Sequence, residues 1–333
     1  ARSAERQRTD GRGTALLNRC GRATADMIFR TSTLVREMPV LAAARIMEIT
    51  DHRLWRIVTH YVGQAVARLD LSKVAAVGLD ETAAKRGQTY VTVFIDLDRT
   101  DKPVVFVTPG RGKDTVARFR VFLAEHGGSP GRIVEVVCDM SGAFIAAINE
   151  NFENAAITVD WFHVVQLFTK AVDEVRRAEA RHSKLPKALR WAILKRAEGR
   201  LTEAQAEALA ELEASDLLTA IAWRIKEKLR WVRRAQSAQA ARWRITNFLR
   251  HAKELLDPDP ILDPVRKALA TVEVQSERIL QRWNSSHSNA RLEGLNGLFQ
   301  AARARARGYR NTTTFATIIY LIAAPLGDLF EST

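Results

Sequence analysis

Cutting or transferring a phosphodiester calls for two hard cations about 3.5–4 Å apart, one activating the attacking oxygen and one stabilising the leaving oxygen. Such cations take carboxylate oxygens held on rigid elements. Asp80, Asp139 and Glu293 are a candidate set of this kind: each Asp follows a short apolar run, and Glu293 lies near the start of an amphipathic stretch. An isolated Asp at a strand end is more often a turn or helix cap. Glu81 and the pair Asp96/Asp98 show how easily decoys arise among 38 acidic residues. Asp160 and His163 form a further Asp-x-x-His pair. Asp160 is placed to cap a helix beginning at Trp161, with His163 packed against that cap, so structural support is expected of this pair and not metal ligation.

The elements around these residues set how they are held. Val74–Leu79, Tyr90–Leu97 and Pro103–Val107 read as three consecutive strands, the first ending at Asp80 and the first two joined by a polar loop around Lys85–Gln88. A helix over about 115–126 follows, closed by Gly127 and Gly128, then a strand over 132–138 that ends at Asp139. A helix over 142–151, a strand over 155–159 and a long helix with the stripe Val164, Phe168, Ala171 and Val175 complete the run. Three strands in succession, then strands alternating with helices, is the order of an RNase H-like α/β fold. Upstream, the spacing predicts helices over 34–47 and 54–66 with Thr50 and Asp51 at the turn, a possible helix-turn-helix. Between 181 and 283 the strand signals stop and Ala, Leu, Glu, Lys and Arg dominate, as expected of a helical insertion. The chain is therefore divided into a basic arm and helical region (1–72), the first part of a catalytic core (73–180), an all-α insertion (181–283) and a C-terminal part of the core carrying Glu293 (284–333).

The helix after Glu293 has two stripes. Leu292, Leu295, Phe299, Ala302 and Ala306 form an apolar face, and Glu293, Asn296, Gln300, Arg303 and Arg307 form a polar one with the same spacing. A carboxylate leading two amides and two guanidinium groups suits a metal beside a phosphate backbone, and the alternative is an ordinary exposed helix edge. Asn296, Gln300, Arg303 and Arg307, with Arg310 beyond Gly308, are candidate DNA contacts.

Charge points to the same class of partner. Lys and Arg total 51, for a net charge of +13, which suits a polyanion. Positions 224–250 hold nine Lys or Arg against the single acid Glu227, with Trp231 and Trp243 among them. Either this is a solvated helix whose Trp residues are core, or it is a DNA-facing surface in which Arg233, Arg234 and Arg242 take part. No run reaches the roughly 20 apolar residues of a membrane span. The two cysteines, Cys20 and Cys138, are far apart and supply neither a zinc ribbon nor a disulfide framework, so a cytoplasmic, nucleoid-associated protein is expected.

Four ordered blocks resemble the transposases of the ISL-three family of bacterial insertion sequences, within the DDE class. They are Gly78-Leu-Asp-Glu-Thr-Ala-Ala-Lys-Arg-Gly-Gln-Thr-Tyr with the strand ending Ile95-Asp96-Leu97; Cys138-Asp139-Met140-Ser141; Val159-Asp160-Trp161-Phe162-His163-Val164-Val165; and Ser288-Asn289-Ala290-Arg291-Leu292-Glu293-Gly294-Leu295-Asn296, continuing to Arg307-Gly308-Tyr309-Arg310-Asn311. The resemblance covers about 74–326. It implies an RNase H-like core with a helical insertion before the Glu-bearing helix, and carries the metal-binding triad onto Asp80, Asp139 and Glu293. The interval of 154 residues from Asp139 to Glu293 leaves room for that insertion. The implied function is binding of the element's terminal inverted repeats, then cleavage and strand transfer with two Mg²⁺ or Mn²⁺ ions, by a homo-oligomer on DNA. A remnant acting only as a DNA-binding protein is the alternative, and an RNase H-like nuclease unrelated to transposition is a third reading. Members of the family usually begin with a cysteine-rich zinc-binding region, whereas only Cys20 stands near this start; that region is expected to lie upstream of the first residue, Ala1, or to be lost.

Overall fold

The computed structural model describes residues 27–85, 89–194, 201–256, 258–309 and 311–326. Most of the basic arm, the residues 86–88 of the loop after Lys85, Cys20 and Arg310 fall outside them. The chain divides into two compact units. One comprises Ala1–Val136, Gly142–Ala155 and Asn289–Thr333, and the other Val137–Ser141 and Ala156–Ser288.

The fold is α/β and RNase H-like, with strand order β3-β2-β1-β4-β5: β1 is Ala76–Lys85, β2 Thr89–Asp96, β3 Val104–Pro109, β4 Glu135–Cys138 and β5 Ala156–Val159. The unit boundary passes through β4, whose first half belongs to the first unit and second half to the other. Strands β1 to β3 form an antiparallel meander. The strand β1 runs on past the point where its apolar run stops. Asp80 therefore lies in mid-strand opposite Val93, not at a strand end. The physical reason is that Thr82 and Ala84 continue the alternation of buried positions, so pairing with β2 carries β1 to Lys85.

In the first unit, β2 is buried on both faces. Val91, Val93 and Ile95 join the cluster formed with the helices, while Phe94 stacks on Phe119 with ring centroids 4.5 Å apart. Phe119 belongs to α4 (Lys113–Glu125), which packs with α5 (Gly142–Asn151). The helix α4 ends as its glycines require: Gly127 has φ 79°, and the N–H of Gly128 donates to Leu123 C=O at 2.9 Å. The other face is covered by α3 (Asp51–Val66), α13 (Ala290–Arg305) and α14 (Thr312–Ala323), with Leu54, Val58, Leu292, Phe299 and Phe315 in its core. The helix expected over 34–47 is two helices, α1 over 27–37 and α2 (Val40–Ile46). Pro39 divides them, because it has no N–H to donate and disfavours helical geometry in the residue before it. Thr50 caps α3, its hydroxyl accepting the Arg53 N–H at 3.3 Å.

The second unit is helical apart from its strands. Here α6 (Trp161–Glu179) lays Val164, Phe168, Ala171 and Val175 against α7 (Leu189–Leu194), α9 (Leu218–Arg233) and α11 (Asp263–Val274). Two further helices are α8 (Glu203–Glu213) and α10 (Ala238–Leu255), and α12 (Ser276–Leu280) follows α11. Glu179, buried at the end of α6, accepts the N–H groups of Leu218 and Thr219 at 2.8 and 2.9 Å and the Thr219 hydroxyl at 2.6 Å. Those bonds satisfy free donors at the start of α9.

Candidate active site

Asp80 projects from the middle of β1, half-buried, and its carboxylate is pinned from two directions. Oδ1 accepts the Glu81 N–H and Oδ2 accepts the Asn296 amide, each at 2.8 Å. Asn296 lies on α13, one turn after Glu293, which is half-buried in the first turns of that helix. The polar stripe of α13 is thus the face that grips β1. Gln300 donates to the Thr82 hydroxyl at 2.6 Å and to Ala83 C=O at 3.1 Å, and Arg303 donates to Ala83 C=O at 3.2 Å. The apolar stripe packs beside it, with Leu292 and Phe299 fully buried. Three of the residues picked out as DNA contacts, Asn296, Gln300 and Arg303, therefore already hold protein atoms.

Two residues of this attachment carried no role in the sequence reading. Asn289 is buried, and its amide donates to Leu79 C=O at 3.1 Å. A side chain at Gly78 would collide with Asn289 Oδ1, so the missing Cβ is what lets Asn289 dock beside Asp80. Gly78 and Asn289 both lie in the quoted blocks, but only the fold brings them together across 211 residues of chain. Arg291, one residue into α13, donates to the carbonyls of Arg99 and Thr100 and so ties the helix start to the β2–β3 connection.

Asp139 follows β4 in the second unit, and its Oδ1 accepts the Ser141 N–H at 2.9 Å. Burial, followed by the negative charge of Asp139, pushes the neighbouring Cys138 thiol well above its usual range, so it stays protonated and a poor nucleophile. Asp160 caps α6 through Oδ1, which accepts the Phe162 N–H at 3.2 Å. His163 is half-buried, its N–H donates to Asp160 C=O at 3.1 Å, and its ring meets Phe162 edge-on.

The remaining candidate contacts lie at helix surfaces. Arg233 and Arg234 are exposed at the end of α9. Arg242, on α10, makes a two-pronged exposed pair with Glu277. Arg307 is exposed with φ 57°, just before Gly308 at φ 94°, whose N–H closes α13 onto Arg303 C=O at 2.8 Å. Trp231 and Trp243 are not core residues, being 39% and 61% exposed. The buried stripe of α9 is Ile225, Leu229 and Val232, which turns Trp231 outward.

Among the described residues, no group of three or more His, Cys, Asp or Glu side chains is gathered so that it could hold a metal ion. The donor chemistry nevertheless fits a hard divalent cation, since the candidate ligands are carboxylate oxygens. Beside Asp80 the side-chain oxygen of Asn296 is buried with no hydrogen-bond partner among the described residues, a further oxygen with capacity to spare. Among the described residues, no helix is long and apolar enough to cross a membrane.

A family model described as a transposase, of the ISL-three DDE group, matches residues 77–319, a stretch that contains Asp80, Asp139, Asp160, His163 and Glu293. The transposase for insertion sequence element IS1001 of Bordetella parapertussis is 26% identical over 318 residues, covering 90% of this chain and 74% of that protein. The transposase for insertion sequence element IS1557 of Mycobacterium tuberculosis, in two strains, is 29% identical over 137 residues, or 41% of this chain and 30% of its own length. With more than half of its length matched by that model, the chain belongs to the ISL-three family of DDE transposases.

Proposed function

We propose that this chain catalyses DNA transposition, binding the terminal repeats of its own insertion sequence, cutting there and joining the freed end to target DNA. Asp80, Asp139 and Glu293 are the carboxylates assigned to Mg²⁺ or Mn²⁺, two ions being expected. When bound, such cations lower the pKa of an attacking oxygen and neutralise charge on the leaving one. In cleavage, water attacks phosphorus and the bond to the 3′ oxygen breaks, leaving a 3′-hydroxyl. In joining, that hydroxyl attacks a target phosphodiester and displaces the target's own 3′ oxygen. No protein nucleophile is needed, which agrees with a Cys138 thiol held protonated.

The protein's own task is positioning. The observation that carries the reading is the Asn296–Asp80 bond, which fixes one carboxylate of the set to the helix that bears another. Gln300, Arg303, Asn289 and Arg291 hold that helix on its frame, so Asp80 and Glu293 need not be organised anew at each turnover. The protein works as an oligomer on DNA in this reading, because two ends must be joined in one event.

The test is nicking of a duplex carrying the element's own terminal repeat, with Mg²⁺ or Mn²⁺, by the full chain and by Asp139→Asn. Loss of roughly a thousandfold or more is expected, as several kcal/mol of charge stabilisation is removed with the cations. Repeat binding without cleavage under any metal would favour a DNA-binding remnant, and cleavage indifferent to Asp139 would refute the triad.

A further inference from the structure

The basic stretch of α9 and α10 leaves two tryptophans in solvent. Trp231 and Trp243 meet edge-to-face, their ring centroids 5.6 Å apart. The Arg244 guanidinium lies over the Trp231 ring, 5.2 Å from its centroid, and donates to Trp231 C=O at 2.6 Å. Trp231 is thus covered on one side by Arg244 and on another by its neighbour, while Trp243 remains 61% exposed. Leaving so large an apolar ring in water forgoes the stabilisation that burial would bring, and on a charged surface it marks a place of contact.

Cations outnumber acids around the pair, where Glu227 is held by Lys226 and Arg230 and Glu277 by Arg242. Lys228 and Arg233 are exposed on the same helix as Trp231. Trp283 donates from its indole to Ala235 C=O at 2.9 Å, which brings Arg282 up to the end of α9. There Arg282 is held below its ordinary value, first by burial and then by the positive charge of Arg233, with Asp160 drawing it back up. Two guanidinium groups that repel each other are relieved by an anion between or beside them. All of these residues belong to one compact unit.

A duplex shows a protein its phosphates and groove edges, but its base faces are stacked away. An unpaired strand offers phosphates and open base faces together, and aromatic rings set in a basic surface suit that combination. We infer that the Trp231–Trp243 pair is a stacking platform for unpaired DNA bases, with Arg233, Arg282 and Lys228 taking the phosphates of the same strand. The inference rests on the reading of the chain as an enzyme acting on DNA, and adds that part of that DNA is held single-stranded.

The probe is a fluorescein-labelled (dT)20 strand, compared with a 20-base-pair duplex by fluorescence anisotropy at one fixed salt concentration. The full chain, Trp243→Ala and Trp243→Phe are measured, with thermal melts to confirm folding. Trp243→Ala is expected to weaken (dT)20 binding roughly 5- to 150-fold, the range for loss of one stacked base. Duplex affinity should stay within about threefold, and Trp243→Phe should retain most single-strand binding. Photocrosslinking of a 5-iodouracil-substituted strand to the unaltered protein is an independent readout, with crosslinks expected at Trp243. Equal losses on strand and duplex, unchanged (dT)20 binding, crosslinks only elsewhere, or no (dT)20 binding by the unaltered protein would each overturn the platform. Terminal-repeat nicking by the unaltered chain is scored separately, so loss of the platform and loss of the transposase reading can be told apart.

Discussion

Two helical surfaces of this protein carry amide and guanidinium groups at similar spacing, and they use them in opposite ways. On α13 the polar stripe is spent inside the protein: Asn296, Gln300 and Arg303 reach Asp80, Thr82 and Ala83 of β1. On α9 and α10, Arg242 and Arg244 are held by Glu277 and Trp231, but Lys228 and Arg233 stay exposed, together with two tryptophans that a soluble domain would ordinarily bury. The lesson is that helical periodicity of charge finds a face but not its partner. A polar stripe next to a carboxylate can be the mortar of a site as readily as its contact with substrate.

Single substitutions sharpen that contrast. Asn289→Ala removes a buried amide and leaves Leu79 C=O without its donor, so a loss of about 1–3 kcal/mol in urea unfolding is expected. Arg233→Ala should change stability by no more than about 0.5 kcal/mol, and in the stabilising direction, because it relieves repulsion on Arg282. If the two gave equal losses, the distinction between a consumed face and an open one would fail.

The smallest effect concerns Asp96, at the end of β2. Burial raises its pKa, while the Asp98 N–H, donating to its Oδ1 at 3.1 Å, lowers it and Arg99 lowers it further. A carboxyl whose folded pKa lies above its unfolded value favours the fold while protonated, and that advantage is lost as pH rises through the folded pKa. Asp96→Asn should therefore have the higher Tm near pH 7, and the difference should vanish below the unfolded carboxylate pKa of about 3.9. A difference that grew on acidification would show that the Arg99 attraction outweighs burial.

Much of this arrangement was legible in the residues. Alternation of Val91, Val93 and Ile95 marked β2, glycines at 127 and 128 closed α4, and Asp160 was readable as the cap of α6. The membership of the chain in its family was carried by blocks that include all three carboxylates. Less legible was whatever depends on contacts distant in sequence. The length of β1 is decided by pairing with β2, so the local apolar run ended too early and set Asp80 at a strand end. The dependence of Asn289 on the bare Cα of Gly78 spans most of the chain. The division at Pro39 was visible in principle, since proline seldom sits inside a helix, but the apolar spacing on either side of it continued without a break.

The most direct test of the carboxylate assignment needs no turnover. The full chain is loaded with Fe²⁺ in place of Mg²⁺ on terminal-repeat DNA, and ascorbate with peroxide generates hydroxyl radicals at the bound metal, which cut the nearby backbone. Cleavage of the polypeptide at residues near 80, 139 and 293 together, suppressed by excess Mg²⁺ and lost in Asp80→Asn, is the expected result. Cuts that omit any one of those three positions, or a pattern unaltered in Asp80→Asn, would contradict the assignment.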